Sequence, residues 1–224
     1  MAGLTSPEVA ASAATGLLLV PVGSTEQHGP HLPLATDTLI AVALAQRVAA
    51  AGRAGCLVAP ALSYGASGEH AGFAGTLSIG TAATTQLLVE LGRSATQTWP
   101  RLLFVSAHGG NTAALADATA TLLGEGRRVR CWAPSWDGDA HAGYTETSLM
   151  LAIAPQSVRL SLAEAGNGEA LPALMSRLRA HGVKAVSANG VLGDPRGATA
   201  EHGEQLLTAA TAALIAFVDD WPLL

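Results

Sequence analysis

The chain has 224 residues, of which 49% are hydrophobic and 13% are charged, and its formal net charge is −5. Because it contains no run of lysine or arginine, nucleic acids and anionic membranes are poor candidate partners. The length suits one domain over residues 1–224, and the scarcity of charge predicts that part of the surface is buried in a homo-oligomer.

Apolar runs typical of buried strands alternate along the chain with segments whose apolar residues recur at helical spacing. Thr36 or Asp37 is the expected N-cap of the first such helix, and Asn111 is that of a later one. The alternation predicts an α/β fold in which a mostly parallel sheet has helices on both faces. In chain order the predicted elements are strand Leu17–Val22, helix Asp37–Ala51, strand Cys56–Leu62, helix Thr81–Trp99, strand Leu102–Val105, helix Asn111–Leu123, strand Val129–Ala133, helix Thr145–Ile153, helix Leu171–His181 and helix Thr199–Val218.

Two further features predict a cytoplasmic protein. Residues 1–15 lack the basic start of a secretory signal, and the apolar run Gly16–Val22 is too short to span a bilayer. Cys56 and Cys131 each lie in an apolar run and are expected to be buried free thiols, as in a reducing compartment.

Polar side chains concentrate directly after three of the predicted strands. Glu26 and His28 follow the first strand, His108 follows the third, and a cluster ending at His141 follows the fourth. Because ligands bind beyond the carboxyl ends of parallel strands, we expect these side chains to meet at one site. Singly, each has an ordinary explanation, since a lone histidine is more often a hydrogen-bonded loop residue, a helix cap or a solvent-facing side chain. The prediction rests on their convergence.

The residue types in these clusters favour a metal site. Glu26 and His28 lie two apart, so an extended segment projects both to the same side. Asp37 begins the next helix, where a carboxylate can bridge two ions, and the glycines after His108 let backbone approach a ligand. Carboxylate and imidazole ligands without thiolates suit Zn²⁺, Mn²⁺ or Fe²⁺. A pair of such ions generates hydroxide near neutral pH.

Other catalytic chemistries lack their motifs. No Gly-x-Ser-x-Gly elbow occurs, no Gly-Lys-Ser/Thr follows the glycines at 65–68, and no dinucleotide fingerprint follows the first strand. His31 is expected to line the site as a substrate contact without binding metal. His181 and His202 lie away from every cluster and are expected to be ordinary surface or helix residues.

With these residues in place, the sequence resembles the creatininase family, whose motifs it matches in order over about residues 16–155. The resemblance implies a three-layer αβα sandwich, a site for two divalent metal ions, hydrolysis of amide-type C–N bonds and a hexameric assembly. The matching segments are Val20–Asp37 (VPVGSTEQHGPHLPLATD), Ser67–His70 (SGEH), Phe73–Ser78 (FAGTLS), Ala107–Asn111 (AHGGN) and Asp139–Ser148 (DAHAGYTETS).

The resemblance also implies which residues bind metal. Glu26, His28, Asp37 and His108 match ligand positions of the family, and Asp37 matches the ligand that bridges the two ions. Creatininase has a further glutamate ligand two residues after the histidine that His108 matches. This chain has Gly110 there, so we take Glu146 as the replacement.

Catalytic and substrate-binding roles follow from the same motifs. His141 matches a catalytic histidine that assists proton transfer, and Glu69 is predicted as a second catalytic residue. His70 is predicted to bind substrate from the glycine-rich segment Gly65–Gly75. Gly109 and Gly110 stand where creatininase has a tyrosine and a glutamate, so they are predicted to widen the site for a peptide.

Within the family, the segments Tyr64–His70 and Asp139–Ser148 look most like the peptidases of the mycofactocin system. This resemblance implies removal of a C-terminal dipeptide from a modified precursor peptide. We therefore expect a short peptide substrate that ends in Val-Tyr. Two alternatives remain open: hydrolysis of a small molecule such as creatinine or a formamide, and a non-catalytic metal-binding scaffold. The full set of ligand and proton-transfer residues argues against the scaffold.

Overall fold

The computed structural model describes residues 1–13, 16–52 and 55–221, and within these ranges four parallel strands form one sheet. The strands are β1 (Leu17–Val22), β2 (Cys56–Val58), β3 (Arg101–Ser106) and β4 (Val129–Trp132). Their order across the sheet is β2-β1-β3-β4, with Leu17 of β1 paired to Cys56 of β2 and to Arg101 of β3. β1 is buried along its whole length, as expected of a central strand that is covered on both faces.

Helices cover both faces of this sheet, which confirms the predicted α/β fold. In the described residues the α-helices are α1 (Ser6–Ala13), α2 (Thr36–Ala50), α3 (Gly80–Ala95), α4 (Thr112–Gly124), α5 (Tyr144–Ile153), α6 (Leu171–His181) and α7 (Ala200–Asp219). One face of the sheet carries α2, α5 and α7, packed on the side chains of Leu17, Leu19 and Leu103. The other face carries α1, α3 and α4, packed on Leu18 and Phe104.

Helix α6 lies apart from these two layers. Its buried residue Leu174 packs with Val183, Val186 and Leu192 in a third, smaller apolar cluster, and Phe73 lies against it. This cluster joins α6 to the segment that follows it and to the glycine-rich segment before α3. It therefore fixes one wall above the carboxyl edge of the sheet.

Several predicted details differ from the structure. β2 ends at Val58, and Leu62, predicted to end this strand, forms only an isolated bridge with Val22. Neither Thr36 nor Asp37 caps α2: the N-cap is Ala35, and the Asp37 carboxylate instead accepts a hydrogen bond from the Ser24 hydroxyl at 2.6 Å. Asp37 is thus directed inward rather than to its own helix.

The N-terminal helix and the cysteines also depart from expectation. α1 is absent from the prediction because its sequence is rich in small alanines and shows no helical stripe of large apolar residues. Cys56 and Cys131 are half-buried rather than buried, since they lie on the two opposite edge strands. Neither forms a disulfide. In the described part of the chain, no helix is long and apolar enough to cross a membrane.

The strand order determines where a ligand can bind. The chain leaves β1 towards β2 on one side, whereas it leaves β3 towards β4 on the other. The connections therefore diverge beyond the carboxyl ends of β1 and β3. In open parallel sheets such a switch point is where ligands bind.

Candidate metal centre

The loop after β1 places the first two candidate ligands at this switch point. The Glu26 amide donates to the Leu34 carbonyl at 3.1 Å, which closes the loop upon itself. Glu26 and His28 are both fully buried. The His28 ring is held by the carbonyl of Glu26, 3.1 Å from Nδ1, so that Nε2 faces inward.

Asp37, in the first turn of α2, lies between two histidines. Its Oδ1 is 3.1 Å from Nε2 of His28, and its Oδ2 is 3.1 Å from Nδ1 of His108. Each oxygen of one carboxylate therefore meets a different imidazole. This is the arrangement expected of a bridging ligand.

His108 reaches the site because Asn111 fixes the turn after β3. Asn111 lies at the predicted N-cap position of α4. Contrary to the prediction, its side chain makes no capping hydrogen bond to the helix. Its Oδ1 accepts from the Ala66 amide at 2.9 Å and its Nδ2 donates to the Gly23 carbonyl at 2.9 Å. Asn111 thereby joins the loops after β1 and β3 to the glycine-rich segment.

His141 comes from the connection between β4 and α5, and Glu146 comes from the first turn of α5. The main chain of His141 pairs with Leu192 in an isolated antiparallel bridge, with the Leu192 amide donating to its carbonyl at 2.9 Å. Oε2 of Glu146 accepts from the Ala142 amide at 2.6 Å and lies 3.8 Å from Nε2 of His28. Asp139, from the same polar cluster, caps α5 by accepting from the amide of Thr145 at 3.0 Å.

Gln27 organises two histidines, a role that the sequence analysis missed. Its side-chain oxygen accepts from the Gly29 amide at 2.9 Å, so its amide nitrogen must face the opposite way. That nitrogen donates to Nδ1 of His70 at 2.8 Å and to the Gly190 carbonyl at 3.1 Å. Nε2 of His141 donates to the main-chain carbonyl of Gln27 at 2.9 Å. The free nitrogens of both rings are thus turned towards Glu26.

His70 is held between Gln27 on one side and Glu26 on the other. It is buried, and its Nε2 lies 3.2 Å from Oε1 of Glu26. Three groups of side chains bring their ligand atoms within 4.8 Å of one another, and His70 belongs to one of them. In the described residues these groups are Glu26, His70 and His141; His28, His141 and Glu146; and Glu26, His28 and Asp37.

The unpaired oxygens of Glu26 show that this donor set fits a metal ion. Both carboxylate oxygens are buried, yet neither has a hydrogen-bond partner in the described part of the chain. They lie 3.2 Å from nitrogens of His70 and His108 in geometries that do not form hydrogen bonds. Neighbouring ligands of one ion lie at about this spacing when each is roughly 2.0–2.2 Å from it. A buried carboxylate without partners is otherwise costly.

The charges in the cluster are strongly perturbed when no ion is bound. Burial and the neighbouring Asp37 carboxylate raise the pKa of Glu26 to about 8. Burial acts to lower the pKa of His28 and His108, but Asp37 outweighs it and raises both values to about 10. Burial and the charge on His28 lower the pKa of His70 to about 3. The same causes hold the pKa of His141 well below its ordinary value.

We expect metal binding to release protons at pH 7. Without metal, Glu26, His28 and His108 hold protons at this pH because their pKa values lie above it. An ion must displace those protons, so the affinity for Zn²⁺ should rise as pH increases from 6 to 8. Titration calorimetry in buffers of different ionisation enthalpy measures the release. The surface variant Asp117→Asn is the control, and a metal affinity that does not change with pH would contradict the expectation.

A cavity of about 850 Å³ opens onto this cluster. The predicted substrate-binding residues His70, Gly109 and Gly110 line it, and so does Glu69, which was predicted as catalytic. His181 lines it as well, although it was expected to be an ordinary surface residue. His31 is not among the described residues that line it. His31 is fully buried, and its Nε2 lies 2.8 Å from the Thr147 hydroxyl. His31 therefore supports α5 from behind the site rather than facing the cavity.

The two glycines after His108 differ in what surrounds them. A Cβ built on Gly109 would meet nothing within 4 Å. A Cβ on Gly110 would lie 2.3 Å from the Ala66 carbonyl oxygen and 2.4 Å from both Glu69 Oε1 and His108 Nε2. The prediction that both glycines widen the site is therefore correct only for Gly109. The space beside Gly110 is already filled, partly by the Glu69 carboxylate.

Comparisons with known proteins agree with this geometry. The family model described as creatininase, creatinine amidohydrolase, matches residues 2–218. The mycofactocin precursor peptide peptidase of Mycolicibacterium smegmatis is 54% identical over 197 residues, covering 85% of this chain and 79% of that protein. The creatinine amidohydrolase of Pseudomonas putida is 32% identical over 196 residues, covering 70% and 72%. A solved structure described as creatininase with Mn has a TM-score of 0.83 at 26% identity and covers 99% of this chain and 98% of that one. The chain belongs to the creatininase family.

Proposed function

We propose that this chain, acting as a single domain, is a metal-dependent peptidase that hydrolyses one peptide bond near the C-terminus of a modified precursor peptide of the mycofactocin system and releases Val-Tyr. The observation that carries the proposal is the cavity of about 850 Å³ that opens onto the buried carboxylate and histidine cluster. The 54% identity to a mycofactocin precursor peptide peptidase supports the choice of substrate.

We further propose two divalent ions per chain, Zn²⁺, Fe²⁺ or Mn²⁺, with Asp37 as the shared ligand. On the Oδ1 side of Asp37, His28 and Glu146 would help to hold one ion. On the Oδ2 side, His108 and Glu26 would help to hold the other. The supporting contacts are 3.1 Å from Asp37 to each histidine, 3.8 Å from His28 to Glu146 and 3.2 Å from His108 to Glu26. When bound, such ions acidify a water and polarise the scissile carbonyl.

His141 is the proposed proton carrier. Because its Nε2 donates to the Gln27 carbonyl, Nδ1 holds the lone pair, and it lies 3.9 Å from oxygens of both Glu26 and Glu146. Burial and the charge on His28 hold the pKa of this ring well below its ordinary value, which favours the neutral form. A neutral imidazole at this place can take a proton from the attacking water and return it to the leaving amine.

Glu69 is the proposed second catalytic residue because it is the accessible carboxylate of the cavity. Its side chain is 35% exposed, whereas those of Glu26, Asp37 and Glu146 are at most 14% exposed. Its Oε1 lies 3.7 Å from Nε2 of His108. Glu69 can therefore accept a hydrogen bond from the peptide while remaining next to the metal ligands.

We expect His141→Ala to keep its metal while kcat falls about 100-fold, since general acid–base groups contribute at least this much. Elemental analysis of the purified variant and its turnover of the peptide are the two measurements. His202→Ala, which removes an imidazole outside the cluster, should change neither. Loss of metal from His141→Ala would instead make His141 a ligand, a role compatible with its place in two of the three candidate groups.

The first alternative is a small-molecule amidohydrolase, and the 32% identity to the Pseudomonas putida creatinine amidohydrolase is the observation in its favour. Gly109 argues against it, because the space beside it is open and leaves the site wide. The second alternative is a non-catalytic scaffold, which would not need an unpaired buried carboxylate beside neutral histidines. The presence of both argues against this alternative.

Mass spectrometry of the metal-loaded protein incubated with the modified precursor peptide tests the proposal directly. We expect release of Val-Tyr, and no release by protein that has been stripped of metal with a chelator. Creatinine and N-formyl compounds are incubated in parallel. Turnover of either of these, without dipeptide release, would establish the small-molecule alternative, and turnover of none would favour the scaffold.

We also propose a cytoplasmic homo-oligomer, in keeping with the hexamer that the family resemblance implies. Exposed apolar side chains support assembly, since Tyr64, Leu77 and Leu123 are each more than half exposed. Light scattering at micromolar concentration is expected to give a mass several times the 22.5 kDa of one chain. A stable monomer under these conditions would contradict assembly.

A further inference from the structure

One wall of the cavity is formed by one face of α6 together with the last two residues of the helix, Ala180 and His181. Leu171, Met175, Leu178 and Arg179 all line the cavity, and their spacing places them on one side of the helix. Leu174, between them in sequence, points into the small apolar cluster that anchors α6. The lining face is therefore apolar along most of its length and cationic near its C-terminal end.

Arg179 is the only lysine or arginine among the described residues that line this cavity. The other charged lining residues are carboxylates or histidines of the cluster, together with Glu69 and His181. In the described ranges, Arg179 makes no ion pair or side-chain hydrogen bond. Arg177, two residues earlier, is paired with Glu169 at 3.6 Å. The guanidinium that faces the cavity is thus the one left available for an anion.

The end of α6 that carries Arg179 is held against the catalytic segment. A Cβ on Gly182 would lie 2.7 Å from the main-chain oxygen of Glu69, so the two backbones are in close contact there. Lys184 donates to the Gly72 carbonyl at 2.8 Å and strengthens the same junction. Three residues of helix correspond to about 4.5 Å along its axis. Arg179 therefore lies within about one helical turn of the contact between Gly182 and Glu69.

We propose that Arg179 binds the terminal carboxylate of the peptide substrate, while Met175 and Leu178 contact the side chains of its last residues. This inference rests on the proposed peptidase function. It adds that binding of the terminal carboxylate determines which peptide bond is cleaved. A guanidinium on the wall of the cavity that opens onto the cluster would admit only a short leaving segment between the terminal carboxylate and the scissile bond. Cleavage near the C-terminus, rather than internal cleavage, would then follow from the position of Arg179.

The test compares the modified precursor peptide with a free terminal carboxylate against the same peptide with a terminal amide. We expect the wild-type protein to cleave the free acid with kcat/KM about 10- to 100-fold higher, as is typical of hydrogen bonds to charged groups. Arg179→Gln should lose this preference by slowing cleavage of the acid alone, and Arg179→Lys should recover part of it. Arg177→Gln, on the same helix but facing away from the cavity, is the matched control and should behave as wild type.

The outcomes separate this inference from the function on which it rests. Equal cleavage of acid and amide by the wild-type protein, or a preference retained by Arg179→Gln, would overturn the role of Arg179 and leave the peptidase intact. Cleavage of neither peptide would overturn the peptidase and the inference together. Slower cleavage of both peptides by Arg179→Gln would show that Arg179 has a structural role in the cavity wall and does not bind the terminal carboxylate.

Discussion

Replacement of Asp37 by asparagine is expected to remove both proposed metal ions and to lower kcat/KM by at least about 10⁴-fold, because these ions would supply the nucleophile and the electrophile together. Oδ1 and Oδ2 of Asp37 face His28 and His108 at 3.1 Å each, so one substitution weakens both groups of ligands. Asparagine keeps the shape of the side chain but loses the charge and one of the two acceptor oxygens. The measurements are metal content by elemental analysis and turnover of the peptide.

Two controls make the Asp37 result specific. Asp117→Asn removes an exposed carboxylate from α4 and should keep full metal content and activity. Circular dichroism shows whether Asp37→Asn remains folded, since Asp37 also accepts from Ser24 at 2.6 Å. A folded variant that retains two ions per chain would exclude the bridging role. A variant that retains one ion would show that Asp37 serves only one site.

Gly110→Ala is expected to lower kcat/KM by at least about 10³-fold, whereas Gly109→Ala should change it less than about threefold. The added methyl group at residue 110 would lie 2.4 Å from Nε2 of His108 and 2.3 Å from the main-chain oxygen of Ala66, which cannot rotate away. His108 must therefore move, and a shift of about 1 Å at a catalytic group alone costs about 10²-fold. The methyl group at residue 109 meets nothing within 4 Å.

This pair of variants is matched because both add the same methyl group to neighbouring residues of one turn. Metal content is measured beside turnover, and Gly110→Ala is expected to lose metal together with activity. Thermal unfolding is measured too, since overpacking of this kind typically costs about 1–3 kcal/mol. Equal and small effects at both positions would show that the turn relaxes freely.

The family motifs and the strand ends were sufficient to predict that Glu26, His28, Asp37 and His108 lie together. Each follows the carboxyl end of a strand or begins the next helix, and the alternation of apolar strands with helices brings those ends to one edge. The parallel sheet was predictable for the same reason, since β1 and β3 are apolar on both faces. These properties depend on the local periodicity of apolar residues, which is visible in the sequence itself.

The remaining features depend on contacts between segments that are distant in the chain. Gln27 meets the Gly190 carbonyl across 163 residues, and the clash that excludes a side chain at residue 110 comes from Ala66 and Glu69. The place of α6 beside the site is likewise set by the packing of Leu174 in the third apolar cluster. No local pattern encodes such contacts, because they arise only when packed layers bring separate loops to the same edge of the sheet. The sequence alone therefore determined the fold class and the core of the candidate ligand set, and the tertiary structure decided what surrounds these residues, what orients them and what limits access to them.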